Sequence, residues 1–357
     1  MKVVFAGGNG YPPEDSGGVQ SSTHDLAQRL KGAGHAASVL APLYGDGWFG
    51  LVARARLKAQ GGGMVRDTRY GYPVYRCWEP TAHVPALVAS QRPDIAVVQC
   101  HGTVPLATAF RNQNVPTIIY LRNVEFDELG GDLSTLADAA FIANSEFTAN
   151  TYRERFGINA TVIAPTIDRA LYETKSTGEV ISFINPVAEK GVDRAIDIAA
   201  ACPEIPFLFV ESWVFKPNDL AALRSRIAPY ANIRFQHRTP DMRTVYGQSR
   251  IVLAPSQWSE AWGRVASEAH CSGIPVIGST RGGLPEAIGP GGLTLDYDAP
   301  LSDWVAAVRR LWSDTGHYAE KSRAARTYAD RPAMDPERQF EVFCGVLHRA
   351  RRSAQAA

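Results

Sequence analysis

The sequence has few cysteines: five are scattered through 357 residues without a Cys-x-x-Cys pair. This spacing argues against a zinc cage or a disulfide framework and fits a protein that works in a reducing compartment. An excess of charge is also missing, because 37 basic and 36 acidic residues leave a net charge of +1. A balanced charge gives no reason to expect a nucleic-acid partner.

Long apolar segments are absent as well. No apolar run reaches the roughly 18 residues that a membrane-spanning helix needs. The first residues, Met1–Ala6, run into glycines too soon to form the apolar centre of a signal peptide. These absences predict a cytoplasmic protein. A length of 357 residues exceeds that of most single cores, so we expect two domains.

The most informative stretch begins with Ile251–Pro255, an apolar run that predicts a buried strand. Residues 263–272 favour a helix, and Gly273 suits its left-handed end. Glu260 would then precede this helix, and Glu268 would lie inside it. The two carboxylates can therefore face one elongated ligand at different points.

A second strand-loop-helix unit follows directly. Its apolar run, 274–278, precedes the pair Gly282-Gly283, and Pro285 suits the first position of another helix. Paired glycines let backbone N–H groups approach an anion, and a helix N-terminus favours negative charge. Two such units place carboxylates and helix N-termini along one sheet edge. This arrangement fits a ligand with a phosphate at its middle and hydroxylated rings at both ends, which is the shape of a nucleotide-sugar.

These motifs resemble those of the family-4 retaining glycosyltransferases of the GT-B fold. That family carries Glu-x7-Glu followed by Gly-x-Pro-Val and Gly-Gly-x-Pro-Glu. The sequence has Glu260 and Glu268 at that spacing, then Gly273–Val276 and Gly282–Glu286. The resemblance covers nearly the whole chain, and it is specific mainly in residues 183–191 and 250–290.

The resemblance implies an α/β protein with two Rossmann-like doubly wound domains and a deep inter-domain cleft. Residues 1–167 would form an acceptor-side domain, and residues 168–332 would form the donor domain. A last helix, at about 333–350, would pack back onto the first domain. Asp296 and Asp298 could suggest a metal site, but their place late in the second domain favours a surface turn.

Three candidate site residues fall in the first half of the chain. Gly17 and Gly18 precede a helix, and His101 follows a strand, at the edge where open α/β sheets bind ligands. By resemblance, the glycines lie against the donor phosphate, and His101 lies near the reacting hydroxyl. The alternatives are a plain strand-to-helix turn and a histidine that orients its loop. Arg122-Asn123, after the next strand, could bind an acceptor or donor hydroxyl.

In the second half, the family has a Gly-Arg-x4-Lys-Gly motif, where this sequence has Asn185 and Lys190. Asparagine cannot replace arginine as a bidentate phosphate ligand. We hypothesise that Arg264, beside Gly263, supplies the missing charge; the alternative is an arginine that lies in solvent. By resemblance, the loop that carries Arg238 reads the nucleotide base.

The implied activity is retaining transfer of a hexose-type sugar from a nucleoside diphosphate sugar, favouring UDP or GDP, to a hydroxyl acceptor. The acceptor would be a glycan, a lipid-linked glycan or a small natural product. No metal or other cofactor is expected. The expected catalytic residues are His101, Lys190 and Glu260. The expected donor-binding residues are Gly17, Gly18, Asn185, Arg238, Gly263, Arg264, Glu268, Gly282 and Gly283.

Two other functions stay open from the sequence. Asn185 and the missing Gly-x-Gly after Val210 fit a non-catalytic nucleotide-sugar-binding partner. A nucleotide-sugar epimerase of the same fold would act on the donor without an acceptor.

Residues 44–70 carry a mixed pattern. Trp48, Leu51, Val52 and Ala55 can share one face of a helix, with three basic residues off that face. We expect a solvated helix whose apolar side packs on the core. The alternative is weak peripheral contact of this basic amphipathic segment with the inner, anionic face of a membrane.

Overall fold

The computed structural model describes residues 1–356. The chain forms two compact units, one of which comprises Met1–Ala164 and the chain from Glu337 onward, while Pro165–Pro336 form the other. Each unit is organised around one sheet of mainly parallel strands. Within the described residues, no helix is both long enough and apolar enough to cross a bilayer.

The strands of the first unit are β1 (Lys2–Gly7), β2 (Ala36–Pro42), β3 (Val65–Asp67), β4 (Val74–Cys77), β5 (Ile95–Gln99), β6 (Thr117–Leu121), β7 (Ala140–Ala143) and β8 (Thr161–Val162). They form a sheet in the order β3-β4-β2-β1-β5-β6-β7-β8. Neighbouring strands run parallel, except that β3 is antiparallel to β4. The helices are α1 (Gly18–Gly32), α2 (Gly47–Ala59), α3 (Pro80–Gln91), α4 (Thr103–Arg111) and α5 (Glu146–Phe156).

The central strands of this sheet are apolar runs buried on both faces, as parallel strands between two helix layers must be. Val97 and Ile118 belong to a core cluster on one face, together with Leu26 and Leu30 of α1. Val98 and Ile119 belong to a cluster on the other face, with residues of α3, α4 and α5. Alternation along each strand therefore produces two hydrophobic layers.

The strands of the second unit are β9 (Val180–Ile184), β10 (Phe207–Val210), β11 (Ile233–Gln236), β12 (Ser249–Ala254), β13 (Val276–Ser279) and β14 (Gly292–Leu295). Their order is β11-β10-β9-β12-β13-β14, and neighbouring strands are parallel. The helices are α6 (Val192–Ala201), α7 (Pro217–Ile227), α8 (Arg243–Tyr246), α9 (Arg264–Cys271), α10 (Leu284–Ile288), α11 (Leu301–Ser313) and α12 (Thr315–Ala329). The predicted α/β class with two doubly wound sheets is confirmed.

The last helix, α13 (Pro336–Ala356), lies almost wholly in the first unit. Its Phe343 ring stacks on Phe5 of β1, with 6.2 Å between ring centroids. Phe343, Val346 and Leu347 are buried in the core cluster that contains β1 and α1. The helix thus completes one helix layer of the first sheet.

The prediction for the apolar side of α2 is wrong. Trp48 is 82% exposed and Leu51 is 53% exposed, whereas Ala53 and Leu57 are buried. Gly50 sets this rotation, because a Cβ there would lie 2.2 Å from the backbone of Gly45. Since only glycine permits that approach, the stripe at 50, 53 and 57 faces inward and the tryptophan side faces solvent.

Candidate active site

Both sheets place candidate residues at the point where the strand order reverses. In the second unit the reversal lies between β9 and β12, and these strands are followed by the loops of Lys190 and Glu260. In the first unit it lies between β1 and β5, and His101 follows β5. Loops after such strands diverge and leave a crevice in which ligands of open α/β sheets bind.

Lys190 and Glu260 form an ion pair at the second sheet. The Lys190 Nζ donates to Glu260 Oε1 at 2.7 Å, and Ser256 Oγ donates to the same oxygen at 3.0 Å. The ammonium also lies 5.5 Å from the ring centroid of Trp213 and 5.2 Å from that of Trp258. Two ring faces and one carboxylate therefore hold a single, partly desolvated positive charge.

A glycine allows the loops of this ion pair to meet. Gly191 has φ +79°, and a Cβ there would lie 1.8 Å from the Pro255 carbonyl oxygen. The Gln257 and Trp258 N–H groups both donate to the Glu189 carbonyl at 3.1 Å. The loop after β12 is thus tied directly to the loop that presents Lys190.

Gly282 and Gly283 support Glu260 through the backbone. Glu260 and Gly282 form an isolated parallel bridge, and the Gly283 N–H donates to the Glu260 carbonyl at 2.6 Å. A Cβ on Gly282 would lie 2.2 Å from that carbonyl oxygen. The Gly283 amide is therefore bonded inside the protein, which contradicts the expectation that it is open to a phosphate.

Glu268 is held from two sides. It is only 8% exposed, its Oε2 accepts from the Tyr246 hydroxyl at 2.8 Å, and its Oε1 accepts from Arg264 Nε at 3.2 Å. Burial, reinforced by the negative charge of Glu268, raises the pKa of Tyr246 well above its ordinary value, so the hydroxyl stays a donor. The carboxylate is thus oriented before any ligand arrives.

The other nitrogens of Arg264 also have partners in this unit. Nη1 donates to the Thr166 carbonyl at 3.1 Å, and Nη2 donates to the Tyr172 hydroxyl at 3.2 Å. Gly263 precedes the arginine at φ +100°, where a Cβ would lie 2.5 Å from Leu284. Arg264 therefore orients Glu268 and the segment 166–172 in this structure, and its compensation for Asn185 stays a prediction.

The backbone conformation at position 185 explains why asparagine suits this position, where the resemblance predicts an arginine. Its backbone is left-handed, with φ +66°, a conformation that asparagine tolerates better than most residues. The buried Oδ1 accepts from the Trp213 N–H at 3.1 Å. Asn185 thus holds the loop that carries Trp213 beside Lys190. Sequence reasoning missed Trp213, although an aromatic residue where Gly-x-Gly is expected was a usable signal.

Glu211 orders the loops after β10 and β11, and it too was missed. Its Oε2 accepts from His237 Nδ1 at 2.9 Å and from the Arg238 N–H at 3.3 Å. Burial raises the pKa of Glu211, but hydrogen bonds from His237 and from the backbone of Phe215 and Arg238 outweigh burial and lower it. The Arg238 side chain is exposed at this edge and open to a ligand.

The first unit presents His101 on a tight turn. Cys100 and Gly102 both have left-handed backbones, at φ +60° and +71°, and the Gly8 N–H donates to the His101 carbonyl at 2.8 Å. The His101 side chain is exposed. Backbone strain of this kind in a non-glycine residue clusters at functional sites.

Gly17 and Gly18 begin α1 in the same unit. Gly17 is the N-cap residue, and because it has no side chain it cannot cap the amides of the first turn. The first intrahelical hydrogen bond runs from the Ser21 N–H to the Gly17 carbonyl. The amides of the first helical turn therefore lack helical acceptors and point toward the helix N-terminus.

No group of three or more His, Cys, Asp or Glu side chains within residues 1–356 has the arrangement of a metal site. Asp296 and Asp298 form an exposed turn, in which the Asp298 N–H donates to Asp296 Oδ1 at 2.8 Å.

Comparison with known proteins gives two family matches. The family described as Glycosyltransferase Family 4 matches residues 16–171, and Glycosyl transferases group 1 matches residues 168–330. The D-inositol 3-phosphate glycosyltransferase of Mycobacterium leprae is 31% identical over 169 residues, which are 44% of this chain and 39% of that protein. The enzyme of that name from Paenarthrobacter aurescens is 36% identical over 116 residues, which are 30% and 28%. The chain thus spans less than half the length of these relatives.

Solved structures match over nearly the whole chain. Anabaena HepE in complex with UDP and glucose superposes with a TM-score of 0.77 at 20% identity, covering 98% of this chain and 99% of that one. Sucrose-phosphate synthase from Thermosynechococcus elongatus has a TM-score of 0.76 at 16% identity, covering 99% and 100%. At these identities the likeness shows the fold. The chain therefore has the two-sheet α/β fold of these structures, and the two glycosyltransferase family models match adjoining regions that together account for residues 16–330.

Proposed function

We propose that the protein is a retaining, metal-independent glycosyltransferase that moves a hexose-type sugar from a nucleoside diphosphate sugar to a hydroxyl acceptor. The observation that carries the proposal is the Lys190–Glu260 ion pair at the reversal point of the second sheet. It offers a cation for a leaving phosphate and a carboxylate for sugar hydroxyls in one place. The HepE structures are complexes with UDP, with UDP and glucose, and with UDP-glucose, which supports a UDP sugar as the donor.

The reaction breaks the bond between the anomeric carbon and the diphosphate oxygen, and the electron pair leaves with the diphosphate. The acceptor oxygen forms the new bond on the same face, and its proton passes to an oxygen of the departing phosphate. Lys190 then stabilises the growing negative charge. The rings of Trp213 and Trp258 limit the water around its ammonium, which strengthens that interaction.

Glu268 is the proposed ribose ligand. Tyr246 and Arg264 each use one carboxylate oxygen, and each oxygen keeps a further lone pair for a ribose hydroxyl. Because the carboxylate is already oriented, binding loses little side-chain freedom. Arg238 and the loop that Glu211 orders lie at the ends of β10 and β11, where we place the base.

Asn185, one of the two features that fit the non-catalytic alternative, has a left-handed backbone and a side chain that accepts a hydrogen bond from the Trp213 N–H. An epimerase would convert the donor alone, whereas a transferase releases the nucleoside diphosphate when an acceptor is added. Product analysis of the donor with and without acceptor separates the two.

The proposed donor site is tested by thermal unfolding with UDP, GDP, dTDP and ADP sugars. A ligand that binds only the folded protein raises its Tm, and we expect a UDP sugar to give the largest rise. Glu268→Ala should weaken that donor by about 10- to 100-fold, since hydrogen bonds to a charged group are lost. Glu179→Ala, an exposed glutamate of the same unit, should leave the shift unchanged. No response to any donor at millimolar concentration would contradict the proposal.

We also propose that the protein is cytoplasmic and rests weakly on an anionic membrane through the exposed side of α2. Trp48 and Leu51 project from that helix, and Tyr44 and Trp78 are exposed beside it. Trp78 and Arg54 of α2 both lie close to Gly45, because a Cβ on Gly45 would lie 3.0 Å from Trp78 and 3.2 Å from Arg54. Aromatic rings beside exposed arginines fit the boundary between lipid headgroups and acyl chains.

Vesicle flotation measures this contact. Wild-type protein should float with phosphatidylglycerol vesicles more than with phosphatidylcholine vesicles, and added salt should weaken the effect. The double variant Trp48→Ala/Leu51→Ala should lower the partition at least about tenfold, because two apolar side chains no longer insert. Leu171→Ala, equally exposed but in the second unit, is the control. Equal flotation of wild type, the double variant and Leu171→Ala would contradict the proposed membrane contact.

A further inference from the structure

A cavity of about 280 Å³ lies at the edge of the first sheet opposite to His101. Its lining includes Lys2 and Ala36, the first residues of β1 and β2, together with Tyr72, which precedes β4, and Pro93, which precedes β5. These four strands are parallel, so their amino ends share one edge. His101 follows the other end of β5, whose five residues span about 17 Å. The cavity is therefore separate from the candidate active site.

The charged side chains around this cavity are positive. Lys2, Lys31 and His35 line it, and none of its described lining residues is an aspartate or a glutamate. The nearby Asp94 is already bonded, because its Oδ2 accepts from the Lys2 N–H at 2.7 Å and its Oδ1 pairs with Arg351 at 3.2 Å. A concave surface that carries charge of one sign attracts small ions of the opposite sign.

The two ammonium groups have unused donors. Lys2 Nζ donates to the Gln91 carbonyl at 3.2 Å, and its two other N–H bonds remain. Lys31 Nζ has no hydrogen-bond or ion-pair partner in the described chain. It lies beside Gly71, where a Cβ would be only 3.1 Å away, so the glycine leaves room for the ammonium at the cavity wall. The last turn of α1 suits a cation, but the helix end does not account for this position over Gly71.

The walls of the cavity are largely apolar. The buried or half-buried residues that form them are Val3, Ala37, Tyr72, Pro73 and Pro93. Uncharged hydrogen-bonding side chains are few among the described lining residues, namely Ser38, Tyr72 and Gln91, so a polyol would lose more hydrogen bonds to water than it regained. The volume is just below the range of about 300–1,000 Å³ that is usual for small-molecule pockets, which limits the ligand to a small molecule.

We propose that this cavity binds a small organic anion, with a carboxylate or phosphate group on an apolar body about the size of one ring. Lys2 and Lys31 bind the anionic group, and the apolar walls contact the body. The site goes beyond the proposed function, because its ligand binds to the first unit independently of the sugar donor.

The test measures Tm with phenyl phosphate, benzoate, inorganic phosphate and benzyl alcohol. Phenyl phosphate or benzoate should raise the Tm of the wild type more than inorganic phosphate or benzyl alcohol does, because only the first two combine an anion with a ring. The larger of these two responses identifies phosphate or carboxylate as the preferred group. Lys31→Met should weaken that probe at least about tenfold, because a hydrogen bond between charged groups is lost.

Ala36→Phe distinguishes binding in the cavity from loose attraction to surface lysines. It fills the cavity while both lysines remain, so it should also weaken the probe at least about tenfold. Lys58→Met is the matched control, because this exposed lysine likewise lies in the last turn of a helix of the first unit, but away from the cavity. It should leave the response intact.

Lys190→Met separates this cavity from the donor site, and it should keep the response to the anion. A response that is lost in Lys190→Met and kept in Lys31→Met would place the anion at the donor site and overturn the inference. An unchanged response of both Lys31→Met and Ala36→Phe would overturn it too. So would the absence of any advantage of phenyl phosphate and benzoate over inorganic phosphate and benzyl alcohol.

Discussion

Lys190→Met is expected to lower kcat by about 10²- to 10³-fold, the range found when one preorganised electrostatic group is removed from a transition-state site. The ammonium is placed by Glu260 at 2.7 Å and by two tryptophan rings. Methionine keeps an unbranched side chain, one atom shorter than that of lysine, and removes the ammonium with its charge and its hydrogen bond to Glu260. The departing diphosphate then loses a cation where its charge grows.

The measurement is the release of UDP from the UDP sugar that stabilises the protein, with water as the slow acceptor. Because the charge matters most as the diphosphate leaves, kcat should fall further than the affinity for the donor. Lys216→Met changes an exposed lysine of the same unit and serves as the control. If Lys190→Met stays within about twofold of wild type, Lys190 has no part in the chemical step.

Gly282→Ala should destabilise the second unit by about 2 kcal/mol or more and should also inactivate the site. The residue has φ +65°, and the added Cβ would lie 2.2 Å from the Glu260 carbonyl oxygen and 2.6 Å from its amide nitrogen. Both contacts are with backbone, which cannot rotate away. The loop of Glu260 must therefore shift, and with it the partner of Lys190.

Gly178→Ala separates the clash from the strain of a left-handed backbone. Gly178 has φ +72°, but its nearest neighbours would lie 3.9 Å from the new Cβ. This control should lose only about 1–2 kcal/mol and keep its activity. Urea unfolding gives the stability of each variant, and UDP release gives the activity. Equal losses in both variants would show that the bridge between Glu260 and Gly282 is not required.

The local sequence predicts much of the secondary structure of the second unit. Ile251–Pro255 predicts a buried strand and β12 spans Ser249–Ala254, while 263–272 predicts a helix and α9 spans Arg264–Cys271. Gly273 has φ +67°, as a left-handed helix end requires. These features depend on neighbouring residues along the chain, so propensity and periodicity determine them.

Sequence alone determined the alternation of strands and helices, the α/β class, and the set of charged candidates after each strand. Only the tertiary structure decided which side of α2 faces solvent, that Asn185 holds the Trp213 loop, and that the Gly283 amide is bonded to Glu260. Each depends on residues far apart in the chain. Sheet order and the close approach of loops at Gly50 and Gly191 bring those residues together, and no local pattern encodes that proximity.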